Sequence, residues 1–156
     1  EVEKRQFIPE DYSVKELLEK VKTNWESDYA WININVKVND QVRFTIPEDV
    51  ITVIFDNLIL NSIQQNEKRN RLVINIEVNM SADVLFVCYR DNGVGLPDKY
   101  KRTPMKILEP HETSRKKGHG LGMWIVNNTL NMSGGEVFDI TSENGFKIDF
   151  TIGGKL

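Results

Sequence analysis

Asn57 and Asn61 stand four residues apart in an otherwise apolar stretch, Val53-Ile54-Phe55-Asp56-Asn57-Leu58-Ile59-Leu60-Asn61-Ser62-Ile63. Residues four apart share a helix face, so the two amides stack. They either sit on the surface or face a polar cavity. The cavity suits so apolar a helix better, because buried amides need partners. A second stretch is Asp91-Asn92-Gly93-Val94-Gly95-Leu96-Pro97, which follows directly on the apolar run Val84-Leu85-Phe86-Val87-Cys88. A carboxylate at a strand end, followed by spaced glycines, suits a ligand bound outside the sheet edge. The alternative is a plain Asp-Asn-Gly turn. A third stretch alternates Gly118, Gly120 and Gly122 around His119 and Leu121, after the basic run Arg115-Lys116-Lys117 and ahead of Met123-Trp124-Ile125-Val126. Glycines that open a helix leave backbone N–H groups free to face an anion such as phosphate, and the helix N-terminus adds positive potential. The same pattern also occurs in tight turns that bind nothing.

These residues need elements to hold them. Ser13-Val14-Lys15-Glu16 reads as a capping box opening a helix with Val14, Leu17, Leu18 and Val21 on one face, ending before Ser27. Trp31 to Val38 alternates as a half-buried strand, Asn39-Asp40 turns, and Val42 to Ile46 is the returning strand. Pro47, Glu48 and Asp49 open the helix that carries Asn57 and Asn61 and runs to about Asn66. Leu72 to Val78 and Asp83 to Tyr89 are strands. Asp98 to Lys117 is irregular, with Pro104 and Pro110, and a long irregular loop of this kind is usually functional or mobile. Leu121 to Met132 is a helix ended by Ser133-Gly134-Gly135, and Glu136 to Thr141 and Phe146 to Ile152 are closing strands. This order predicts an α/β fold, a two-layer sandwich with a mixed sheet and about three helices on one face.

Composition narrows the class. A chain of 156 residues with 40% hydrophobic and 28% charged residues fits one globular domain with a sizeable core. The net charge of −3 gives no reason to expect a nucleic-acid partner. The single cysteine, Cys88, reads as a small buried hydrophobe. No apolar run approaches the roughly 20 residues of a membrane span, and no signal peptide is visible. The chain begins at Glu1 and reads as a piece of a longer protein, with residues 1–12 a linker or the tail of an upstream helix and residues 13–156 the domain.

The three stretches, in this order, resemble the signature boxes of the GHKL superfamily of ATP-binding domains. Phe55 to Ser62 resembles the N box, Asp91 to Leu96 the first glycine box, and Lys117 to Gly122 the second. Glu109-Pro110-His111-Glu112-Thr113-Ser114-Arg115 resembles the intervening F box. The resemblance covers about Ile8 to Ile152 and implies a Bergerat-type sandwich with a mobile ATP lid. It implies ATP or ADP as ligand, with Mg²⁺. Asp91 would accept the adenine amino group, with Gly93 and Gly95 letting the loop pass close to the base. Asn61 would hold Mg²⁺ through its side-chain oxygen, and Asn57 would lie near the phosphates. Thr113, Ser114, Arg115, Lys116 and Lys117 would border the triphosphate in the lid. Gly118, Gly120, Leu121 and Gly122 would present backbone donors, with His119 in place of a common Thr or Ser.

Within the superfamily, self-hydrolysing members carry a glutamate where this chain has Asn57. The pattern is instead similar to the catalytic domain of sensor histidine kinases, whose acceptor imidazole needs no strong base. The resemblance therefore implies transfer of the γ-phosphoryl group, carried by Asn57, Asn61 and Arg115, to a histidine on an upstream dimerisation domain, with a response regulator downstream. His111 and His119 are the chain's two histidines, and neither has an acceptor's surroundings. Gln64 and Gln65 depart from the kinase pattern, which has Lys then His or Tyr; Leu108 and His111 replace F-box aromatics. Two alternatives stand beside this reading: a non-catalytic nucleotide-sensing domain and an anti-sigma-factor-type serine kinase. The fragment is expected to be monomeric and cytoplasmic, and the whole protein a homodimer that either is soluble or is anchored in a membrane.

Overall fold

The computed structural model describes residues 11–109 and 122–154. Strand β1 (Tyr12–Ser13) leads into helix α1 (Val14–Asp28), then β2 (Ile32–Val38), β3 (Arg43–Phe44), α2 (Glu48–Gln65), β4 (Leu72–Ser81) and β5 (Val84–Asp91). Two short 3-10 turns, Asp98–Tyr100 and Pro104–Leu108, precede α3 (Gly122–Met132), β6 (Val137–Thr141) and β7 (Lys147–Ile152). Five strands form one sheet in the order β2-β4-β5-β7-β6, with β2 and β4 parallel and the other pairs antiparallel. The helices cover one face of it, giving the expected mixed two-layer sandwich.

Strand alternation builds the core. On β4, Leu72, Ile74, Ile76 and Val78 are buried while Glu77 and Asn79 are exposed. The opposing β5 residues Leu85, Val87, Tyr89 and Asp91 point to the same side. Against this face α2 lays Ile51, Ile54, Phe55, Leu58, Ile59 and Ile63, all buried. Phe55 meets Phe150 of β7 with ring centroids 6.2 Å apart. Each such side chain contributes about 1.5–3 kcal/mol by leaving water. Leu108 is also buried, and its 3-10 turn packs against α3.

The structure corrects several local expectations. Helix α1 continues through Asp28 instead of ending before Ser27, because its last turn is anchored: the Trp25 indole N–H donates to Asp56 of α2 at 2.7 Å and stacks on Tyr29. The returning strand shrinks to Arg43–Phe44 and pairs not with β2 but with β1, which takes in Tyr12 from the expected linker. Tyr12 also donates its hydroxyl hydrogen to the Ile46 carbonyl. Strand β2 pairs with β4 instead, matching Ile32 with Leu72 and Ile34 with Ile74; α2 supplies the crossover that a parallel pair requires. Cys88 is half-exposed, since the alternation of β5 places it beside Asp149 on the face away from the helices. Burial, followed by the Asp149 carboxylate, pushes its thiol pKa up. No helix among the described residues is long and apolar enough to cross a membrane.

Candidate nucleotide site

Asp91 closes β5 and is only 5% exposed. Its carboxylate is held on both oxygens. Oδ1 accepts from the backbone N–H groups of Gly93 (2.9 Å) and Phe146 (3.2 Å). Oδ2 accepts from the Ser62 hydroxyl at 2.6 Å. A carboxylate offers about four lone-pair positions, so three bonds leave room for one more donor. Ser62 follows Asn61 on α2, so the helix carrying the amide pair is tied directly to the strand-end carboxylate.

The glycine loop after Asp91 is built around a residue that the sequence did not single out. Asn66, the residue just past α2, is 2% exposed. Its Nδ2 donates to the Ser62 carbonyl at 2.7 Å, and its Oδ1 accepts from Val94 N–H at 2.8 Å. A Cβ at Gly93 would overlap this amide. Gly95 has φ of +82°, and a Cβ there would overlap the Ser142 hydroxyl. That hydroxyl accepts from Leu96 N–H at 2.7 Å. Both glycines are thus required by the packing of the loop itself. Asn92 ties the loop back to β4, its side-chain oxygen accepting from Val73 N–H at 2.9 Å.

The two amides of α2 differ. Asn57 donates from Nδ2 to the Val53 carbonyl one turn back at 2.8 Å, which leaves its Oδ1 as the outward atom. A Cβ on Gly122, the first residue of α3, would lie 3.7 Å from that oxygen. Asn57 therefore borders the N-terminus of α3. Asn61 is 9% exposed, and its side chain makes no hydrogen bond to another described residue. The amide oxygen of such a side chain fits a hard cation that keeps most of its ligands as water and phosphate. Among the described residues no three His, Cys, Asp or Glu side chains cluster into a metal cage. Thr113, Ser114, Arg115, Lys116, Lys117, Gly118, His119, Gly120 and Leu121 lie outside the described residues. Asn57 neighbours Gly122 at the start of α3, Gly93 bonds Asp91 at the end of β5, Asn61 stands beside the Ser62 that bonds Asp91, and Gly95 lies against Ser142. Ser62, Asn66, Tyr89 and Ser142 were missed. For Tyr89 a signal existed: it stands two residues before Asp91 on a strand, hence on the same face.

A groove of about 910 Å³ is lined by Phe44, Ile46, Val50, Met80 and Met132 among others. None of the candidate residues lines it, so its size says nothing about the site.

The sequence profile described as "Histidine kinase-, DNA gyrase B-, and HSP90-like ATPase" matches residues 46–154, from the start of α2 to the end of β7. Among curated proteins, the chain is 27% identical over 114 residues to sensor histidine kinase WalK of Bacillus subtilis, covering 69% of this chain and 18% of WalK. It is 31% identical over 129 residues to sensor protein TdiS of Thauera aromatica, covering 76% and 23% respectively. The chain thus spans less than a quarter of these two relatives. Its fold superposes on the catalytic domain of histidine kinase ThkA with a TM-score of 0.76 at 22% identity, covering 94% of this chain and 96% of that one. For the mycobacterial sensor histidine kinase MprB the TM-score is 0.73 at 16% identity, covering 95% and 99%. With the profile spanning α2, the glycine loop and α3, the chain belongs to the histidine kinase-, DNA gyrase B- and HSP90-like ATPase family.

Proposed function

We propose that this domain binds Mg-ATP and transfers its γ-phosphoryl group to a histidine on an upstream domain of the same protein, which then serves a response regulator. The observation that carries the reading is the Asp91 carboxylate, fixed by three hydrogen bonds and retaining one acceptor position. It suits a single N–H donor such as the adenine amino group. Asn57 and the start of α3 would receive the phosphates, with Gly118, Gly120 and Gly122 supplying backbone donors. Arg115, Lys116 and Lys117, beside Thr113 and Ser114, would bring positive charge to the triphosphate. Asn61 would hold Mg²⁺ through its side-chain oxygen, and the ion supplies charge neutralisation on the phosphate oxygens when bound. Asn57 offers no base to activate water, which suits an imidazole acceptor that is already nucleophilic. Positioning and charge stabilisation then suffice. ATP places the domain in the cytoplasm, whether the whole protein is soluble or membrane-anchored.

Calorimetric titration of ADP and ATP, with and without Mg²⁺, tests the site. Saturable binding is expected, weakened about 10-fold or more in Asp91→Asn, which puts an amide N–H₂ or a weaker acceptor where the carboxylate stood. No binding by the native domain would end the nucleotide reading. Labelled ATP with the purified acceptor helices then separates transfer from sensing. Binding without transfer would favour a nucleotide-sensing domain, a reading that Gln64 and Gln65 support because they leave the N box without its usual cation. Steady phosphate release by the domain alone would point to a hydrolase.

A further inference from the structure

Tyr89 is wholly buried, and its hydroxyl touches two groups, the Ser62 hydroxyl at 2.7 Å and the Leu58 carbonyl at 3.0 Å. The hydrogens can be counted. The Asp91 carboxylate has none to give, so the single hydrogen of Ser62 goes to Oδ2 across 2.6 Å. Two oxygens cannot sit 2.7 Å apart without a hydrogen between them. That hydrogen must therefore come from Tyr89. Tyr89 also donates to the Leu58 carbonyl at 3.0 Å, so its single hydrogen is shared between the nearer Ser62 oxygen and that carbonyl. Burial, and then the charge of Asp91, raise the Tyr89 pKa well above that of an ordinary phenol, which keeps the group a donor. The ring is also fixed, packing edge-on to Phe146 with centroids 6.3 Å apart. Phe146 in turn gives its backbone N–H to Asp91 Oδ1.

The geometry points to Tyr89 as a positioning residue for base recognition: it commits the Ser62 hydrogen to Asp91 Oδ2 and so aims the remaining lone pair of that oxygen at one incoming N–H donor. The relay runs Tyr89 to Ser62 to Asp91, with the Tyr89 hydrogen shared with the Leu58 carbonyl and the Ser62 hydrogen on the carboxylate. Oδ1 is filled by its two backbone donors, so the open position lies on the oxygen that the relay controls. An amino-purine presents a donor there; a 6-oxo purine presents an acceptor and is repelled. This inference rests on the proposed reading that Asp91 meets the base.

The test compares ADP with purine riboside 5′-diphosphate, which lacks the 6-amino group, on the native chain, Tyr89→Phe, Ser62→Ala and the double variant. The native chain should prefer ADP by about 10-fold or more, the value of one hydrogen bond to a charged acceptor. Tyr89→Phe should lower that preference about 3-fold or more while leaving the affinity for the purine analogue unchanged. Ser62→Ala should lower it at least as far, and the double variant no further than Ser62→Ala, because Tyr89 acts through Ser62. Equal weakening of both ligands by Tyr89→Phe, as a purely structural role would give, overturns the inference, and so does additivity in the double variant. Thermal unfolding checks that each variant is folded. If Tyr89→Phe does not fold, Ser62→Ala decides alone: unchanged preference there overturns the relay. A native chain that binds ADP without preferring it over the analogue would instead refute contact of Asp91 with the base. A native chain that binds neither would refute the nucleotide reading itself.

Discussion

Asn66 shows how one side chain can organise a site that it does not enter. Both ends of its amide are used, one on the Ser62 carbonyl and one on Val94 N–H, so it cannot swing aside. Gly93 passes over it with no room for a Cβ. Gly93→Ala must therefore push the loop outward or break one of these bonds. Overpacking at a fixed site costs about 1–3 kcal/mol. Urea denaturation should show a loss of that order. Nucleotide affinity should fall with it, since Gly93 N–H also holds Asp91 Oδ1. Wild-type stability and affinity in this variant would mean that the loop is looser than its hydrogen bonds imply.

At the scale of elements, β2 is the edge of the sheet, and α1 guards it. Ile34 N–H donates to the Glu26 carboxylate of α1 at 2.7 Å, and Lys22 pairs with Glu26 at 2.9 Å. Partial burial pulls the Glu26 pKa upward, but the Ile34 N–H and the Lys22 ammonium outweigh it and leave the pKa lowered. A lowered carboxylate pKa stabilises the fold at pH above the unfolded value, 4.5, and the contribution is lost as pH falls through the folded value. Glu26→Gln keeps an acceptor but removes the charge. It should cost about 1 kcal/mol at neutral pH, and the gap from the native protein should close below about pH 4. Denaturation curves across that range check this; a gap that widens in acid would show the sign to be wrong.

For the whole molecule, the exposed face of the sheet mixes Phe86 and Phe138 with Glu77, Asn79 and Arg90. With the β2 edge engaged by Glu26, strand pairing between copies is disfavoured there. The chain should therefore sediment as a monomer. A concentration-independent dimer at micromolar protein would contradict this.

Helix-period and strand-period patterns were enough to read α1, α2, α3 and the five strands of the main sheet from the chain, because each element buries one face and the apolar spacing records which. The sequence also determined the kind of site. Asn57, Asn61 and Asp91 are unusual residues for their positions in apolar elements, and they mark the candidate site, while Gly93 and Gly95 answer to the packing of the loop as well. Tertiary structure decided partners. Whether Val42 to Ile46 would pair with β2 or β1 depended on the α2 crossover that brings β4 alongside β2, a long-range choice that local alternation does not encode. It likewise decided that Ser62, Asn66 and Tyr89 converge on Asp91. Their hydrogen bonds join α2 and the residue after it to β5 and its loop across about 27 to 31 positions of chain. A serine or a tyrosine in an apolar run reveals no such role until the opposing layer packs against it.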